Sequence, residues 1–185
     1  MEATQFQIKA FPNVMDLVGI PNAVMAQHLS LYGGYVNSAN TLLGLRASRG
    51  RMTHGHPLEH GAVDAAIEIR LPYLINGILM HELYFSQLVP GGTPYDPDYG
   101  WGPYVEELKA LYDIGGPGWA VLGRHEYTGE LITYRVQEHQ NGQLAGFVPV
   151  LVIDAWEHAY SWTSKDKAFD ALLENMNWDV VASRL

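Results

Sequence analysis

The chain has 185 residues, 48 % hydrophobic and 17 % charged, enough for one domain or two small joined ones with a buried core that needs no covalent staples. Twenty acidic against eleven basic residues give a net charge of -9, which argues against a nucleic-acid binder and against attraction to an anionic membrane. Cysteine is absent, so disulfides, thiolate nucleophiles and iron–sulfur clusters are excluded, and metal chemistry is left to eight histidines and the carboxylates.

In chain order, residues 1–20 are broken by Pro12 and Gly19 and lack the features of a signal peptide. No stretch reaches the roughly 20 apolar residues that span a bilayer, so a cytoplasmic protein is expected. From Pro21 to Arg46, Val24, Met25, His28, Leu31, Tyr32, Tyr35 and Val36 recur at helical spacing. Gly33 and Gly34 within that run suggest close backbone packing. A polar loop from Arg46 to His60 leads into a second helical stretch, Gly61 to Leu88, with Pro72 as an expected kink or break. The two stretches read as a long antiparallel helical hairpin. The glycine-, proline- and aromatic-rich loop after Leu88 places a domain boundary there, dividing the chain into 1–88 and 89–185. Beyond it come a short helix, Tyr104 to Tyr112, and three strands around Trp119–Leu122, Leu131–Val136 and Val148–Ile153. The end of the chain returns to helix with the apolar stripe Phe169, Leu172, Leu173 and Met176. The expected fold class is α+β: an N-terminal helical hairpin followed by a three-stranded antiparallel sheet with helices.

The densest chemistry follows the third strand directly. Asp154 at the strand end and His158 four residues on, in the first turn of a helix, can converge on one point. A carboxylate with an imidazole suits manganese, iron or zinc. The same spacing also fits a helix-capping aspartate with a hydrogen-bonded histidine behind it. His28 and His81 lie on apolar helix faces, and each alone fits a buried histidine with a hydrogen-bond partner. Together, on one hairpin, they can face the Asp154/His158 pair and complete a set of three histidines and one aspartate.

These residues sit in recognisable surroundings. Asp154-Ala155-Trp156-Glu157-His158-Ala159-Tyr160, Gly116-Pro117-Gly118-Trp119-Ala120, Tyr35-Val36-Asn37, His81-Glu82-Leu83-Tyr84-Phe85 and Asn177-Trp178 are all present. The chain thereby resembles the iron/manganese superoxide dismutase family over nearly its whole length. The resemblance implies one manganese or iron ion per subunit, held between the two domains by His28, His81, Asp154 and His158, with superoxide as substrate. It further implies Trp119 and Trp156 as walls of the metal pocket and Tyr35 as the residue guarding the approach. Gln140 stands where the manganese type keeps a glutamine that tunes the bound solvent, and Gly77 where the iron type would supply one, so manganese is preferred. Glu157, which the family uses to bind the ligand histidine of a partner subunit, implies a homodimer.

Four departures bear on function. Counting back from Tyr35 without a gap lands on Gln27, whereas counting on from Met25 lands on His28; seven residues are two regular turns, which favours His28. The family's gateway histidine is missing from the stretch holding Leu31 and Tyr32. Its partner tyrosine is replaced by Ser161. The arginine that follows the signature and guides the anion inward is absent, leaving Lys165 and Lys167 as stand-ins. The altered channel keeps two rivals open: another oxygen-linked oxidation of an organic substrate at the same metal, and a metal-free interaction protein. The loop His54-Gly55-His56-Pro57-Leu58-Glu59-His60 reads as solvated rather than as a second metal site.

Overall fold

The first apolar stripe becomes helix α1, Asn22–Arg49, and the second becomes α2, Pro57–Ser86. The structure, a computed structural model, describes residues 5–49, 57–94 and 100–185. On α1 the buried positions are Met25, His28, Tyr32, Val36 and Ala39; on α2 they include Ile67, Leu71, Leu74, Ile78, His81 and Phe85. Steps of three and four place each set along one stripe, the condition for two helices to pack along a common seam. The pairing is antiparallel: His28 meets His81 with ring centroids 5.1 Å apart, while Arg46 reaches Glu68 at 3.0 Å.

Two expectations for the hairpin change. Helix α2 runs through Pro72 without a break, because Pro72 lies on its solvent face and the helix interior is held by the seam on the other side. The close packing expected at Gly33 and Gly34 is absent, since a Cβ at Gly34 would meet nothing within 4 Å. It occurs instead at Gly77, where a Cβ would stand 3.2 Å from the His139 ring and 3.4 Å from Tyr35.

The second part of the chain begins with α3, Trp101–Asp113, and continues with strands β1 (Gly118–His125), β2 (Leu131–Gln137) and β3 (Phe147–Asp154). All pairings are antiparallel, in the order β2-β1-β3. The central strand runs buried from Gly118 through Gly123, in keeping with its uninterrupted apolar sequence. Gly118 has to be glycine, because at φ 153° a Cβ would strike the Val136 carbonyl at 2.2 Å. Its neighbour Trp119 pairs with Val136 on one side and Asp154 on the other, so the sheet itself sets the tryptophan beside the aspartate.

Short helices α4 (Glu157–Tyr160), α5 (Lys165–Glu174) and α6 (Trp178–Ala182) finish the chain. Ser164 caps α5, and the apolar face Phe169, Ala171, Leu172 packs into the core. The architecture is therefore α+β as the sequence suggests. Among the described residues no helix is long and apolar enough to cross a membrane. His54, His56 and the side chain of His60 lie outside the described residues, as do residues 95–99 of the aromatic loop.

Candidate metal centre

Four side chains from four places converge where the hairpin meets the sheet. His28 comes from α1, His81 from α2, Asp154 from the last position of β3 and His158 from α4. One ligand-capable atom from each lies within 4.8 Å of the others. Asp154 Oδ2 is 3.0 Å from His28 Nε2, 3.3 Å from His158 Nε2 and 3.9 Å from His81 Nε2. The two imidazole nitrogens of His28 and His158 are themselves 3.2 Å apart. His28 is buried, whereas Gln27 is exposed and faces elsewhere, so the regular two-turn spacing brings His28 to the cluster.

The hydrogen bonds around the cluster orient it. His81 Nδ1 lies 2.6 Å from the Gly77 carbonyl, which can only accept, so Nδ1 carries the proton and Nε2 presents its lone pair. That Nε2 is buried with no partner among the described residues. Asp154 Oδ1 accepts the Trp156 backbone N–H at 2.8 Å, which leaves Oδ2 for the histidines. This donor set, three imidazoles and one carboxylate converging with a lone pair left over, fits a manganese or iron ion.

Burial holds His28 below the ordinary histidine range, and burial with the nearby His28 charge brings His81 down to about 3, so both stay neutral. For Asp154 burial alone would raise the pKa, but hydrogen bonds from His158 and His28 outweigh it and keep the carboxylate ionised. His158, despite its own burial, is raised by the hydrogen bond and charge of Asp154.

The neighbouring aromatic side chains form one connected layer. Trp119 stands edge-on to His81 at 4.9 Å, and Trp156 stacks on His139 at 5.0 Å with an interplanar angle of 25°. The Trp119 indole N–H donates to His139 Nδ1 at 3.0 Å. An indole nitrogen cannot accept, so His139 carries its proton on Nε2 and donates it to the Tyr35 hydroxyl oxygen, 3.0 Å away. Burial takes His139 down to about 4, consistent with a neutral ring.

Gln140, the residue expected next to the cluster, makes none of these contacts, and its Oε1 is buried without a partner among the described residues. The cause is a one-residue difference in a tight turn. Gln137 and Asn141 close on each other through paired backbone bonds of 2.7 and 3.1 Å, and Glu138 takes a left-handed φ of 52°. That turn aims His139 inward and leaves Gln140 aside. A signal for His139 existed: Trp119, buried with a donor-only nitrogen, needs an acceptor.

Other sequence candidates scatter. Tyr32 turns away from the cluster and donates to Glu82 at 2.9 Å, with its hydroxyl pushed up to about 12 by burial. Lys165 donates to the carbonyls of Tyr112 and Asp113 and so closes the C-terminal end of α3. Glu157 and Ser161 are exposed at either end of α4. Leu31 lines a cleft of about 330 Å³ between α1 and α2, together with Gln27, Tyr35, Ser38, Arg70 and Leu74.

Comparison with known proteins points to one family. The family model for iron/manganese superoxide dismutases, C-terminal domain, matches residues 105–184. A superoxide dismutase [Fe] of Aquifex aeolicus is 30 % identical over 100 % of this chain and 92 % of its own length. A second, from Aquifex pyrophilus, is 30 % identical over 91 % of this chain and 85 % of its own. A superoxide dismutase [Mn/Fe] of Aeropyrum pernix is 35 % identical over 94 % and 86 %. By this similarity over nearly the whole length of both chains, the chain belongs to the iron/manganese superoxide dismutase family.

Proposed function

We propose that the protein is a superoxide dismutase whose manganese or iron ion is held by His28, His81, Asp154 and His158, between an N-terminal unit of residues 1–88 and a C-terminal unit of residues 89–185. The observation that carries this reading is the convergence of four ligand atoms within 4.8 Å, with the His81 Nε2 lone pair unused. Three neutral imidazoles and one carboxylate sum to a charge of −1, which partly balances a cation that cycles between two and three positive charges. Held by these residues, such an ion would supply the electron exchange through which two superoxides and two protons become O₂ and H₂O₂.

The chain's own residues supply orientation, exclusion and proton placement. Gly77 fixes the His81 tautomer through its carbonyl, and the Trp156 N–H holds Asp154 in place. Trp119, Trp156 and Tyr84 wall the cluster with aromatic surface that keeps bulk water out. His139 donates to the Tyr35 oxygen, so the Tyr35 hydroxyl proton points away from His139, on the side where Tyr73 hydrogen-bonds with it. Burial beside Tyr73 raises the Tyr35 pKa well above the ordinary tyrosine value, which keeps that proton in place.

The preference for manganese rests on Gln140, which stands aside while His139 meets Tyr35, so the reading is of manganese or iron without a preference. Glu157, exposed at the start of α4 and adjacent in sequence to the ligand His158, supports a homodimer, tested by the sedimentation mass of the wild type and of Glu157→Ala. Metal analysis of purified protein, run beside a dismutation assay, tests the main reading. One manganese or iron per chain and activity lost on chelation are expected. Stoichiometric metal without dismutation would turn the reading to another oxygen-linked oxidation, and no metal under any loading to an interaction protein.

A further inference from the structure

We propose that Arg70 is the residue that draws the substrate anion into the site, from a position on helix α2 rather than on the segment after the metal-ligand signature. This rests on the dismutase reading only for the identity of the anion. Arg70 and Tyr35 are walls of the same cleft, and Tyr35 is also bonded to His139, so the cleft ends on a side chain of the aromatic layer. The Arg70 guanidinium lies 3.9 Å from the centre of the Tyr73 ring. Tyr73 in turn stands 4.6 Å from His139 and 6.0 Å from Tyr35, ring to ring.

Stacking on an aromatic face restrains the guanidinium while its N–H edge stays free to meet an anion. Among the described residues no carboxylate pairs with Arg70. Among the described residues, Lys9 is paired with Glu82 and Arg46 with Glu68, and Lys165 donates to two carbonyls, whereas Arg70 is the cation on the cleft wall. The charge of Arg70 reaches the inner end of the cleft, where it lowers the pKa values of Tyr35 and His139 against other influences or together with burial.

The whole-molecule charge makes such a residue necessary. At a net charge of -9 the overall field repels an anion, and salt screens that field beyond about 10 Å, so attraction has to come from a cation near the entrance. Arg70 is such a cation on the cleft wall. A guanidinium of free donors also suits a small oxygen anion better than an ammonium does.

The test compares wild type, Arg70→Gln, Arg70→Lys and Lys167→Gln, all loaded with the same metal. Two quantities are read: the second-order dismutation rate as a function of ionic strength, and the dissociation constant of azide, a small-anion probe, from the visible absorbance of the metal. Arg70→Gln is expected to lose about tenfold in rate at low ionic strength, with the gap closing as salt rises, and to bind azide more weakly. Arg70→Lys retains the charge and should recover most of both, which a loss of packing on Tyr73 would not produce. Lys167→Gln tests the rival position after the signature: a smaller salt-dependent loss than in Arg70→Gln is expected, and an equal or larger one would overturn the proposal. Wild-type rate, salt dependence and azide affinity in Arg70→Gln would overturn the proposal. If the wild-type protein binds metal but does not dismutate, the functional reading fails while azide still decides Arg70. Weaker azide binding in Arg70→Gln then upholds the proposal, and equal binding overturns it.

Discussion

Helix α2 carries two buried polar clusters, and they are built on opposite rules. Behind its C-terminal end, Gln87 bonds both backbone groups of Val152, and Arg184 donates to Gln87, Ser86 and the carbonyls of Leu83 and Val150. Nearby, Asn175 accepts from the N–H groups of Val18 and Gly91 and donates to the carbonyls of Val18 and Ala171. Each side-chain group there has a protein partner. At His28, His81, Asp154 and His158 the groups instead face one another, and His81 Nε2 and His28 Nδ1 have no partner among the described residues. A buried polar group costs stability unless it is satisfied, so the first cluster is architecture, whereas in the second the unpartnered His81 Nε2 turns toward the other three residues and leaves room for a ligand.

Mutation should separate the two clusters sharply. Asp154→Ala is expected to leave the fold in place while metal content falls to background and dismutation drops by more than about a hundredfold, beyond the loss typical of residues that merely support a ligand. Metal analysis with circular dichroism checks this, and a variant that keeps its metal would erase the contrast. Arg184→Ala should do the reverse. It strands several acceptors and should cost about 2–4 kcal/mol in denaturant unfolding, yet retain one metal per folded molecule.

Acid should reach one cluster and spare the other. His81 and His139 have folded pKa values of about 3 and about 4, below the ordinary value of 6.5. A group with a depressed folded pKa contributes in full above its unfolded value and loses that contribution as the pH falls. The contribution of His81 and His139 to the metal-free protein should therefore be complete above pH 6.5 and fall between about 6.5 and 4, by up to roughly 1.4 kcal/mol per unit for each. The raised His158 contributes with the opposite sign and loses its share as the pH climbs above its ordinary value. Gln87 and Asn175 do not titrate and add nothing to this slope. Denaturant midpoints across that range check the sign, and a flat profile would mean that the histidines of the open cluster are not held neutral.

The smallest effect is expected at the edge of the metal cluster. His139→Gln keeps a group able to accept from Trp119 and donate to Tyr35, and should change the dismutation rate only a few-fold while shifting the reduction potential. His139→Ala breaks both bonds and should cost about tenfold or more. Equal rates in the two variants would show that the Trp119–His139–Tyr35 chain is packing alone.

Much of this architecture is legible in the amino-acid sequence. The seam of α1 and α2 follows from residues repeating at three and four, and the ligand quartet from Asp154 and His158 flanking a strand end together with two histidines on that seam. His139 is harder to find, because a left-handed residue at Glu138 decides which neighbour in the turn faces inward. No hydrophobic period encodes such a choice. Pro72 misleads for the opposite reason: its local rule is sound, but tertiary packing along the buried face of α2 overrides it. Arg70 leaves no trace in motif or pattern, since its meaning depends on a cleft formed by two helices.

The four-residue cluster also bears on the order of assembly. His28 and His81 lie on the hairpin, while His28 and Asp154 are separated by 126 residues. A growing chain can pair its two helices, and so bring two imidazoles together, long before β3 has been made. The carboxylate and the last histidine arrive only when the sheet closes against the hairpin, because Asp154 takes its place by pairing with Trp119 on the central strand. Completion of the four-residue cluster thus belongs to the end of synthesis, and a chain truncated before β3 would hold only two of the four residues.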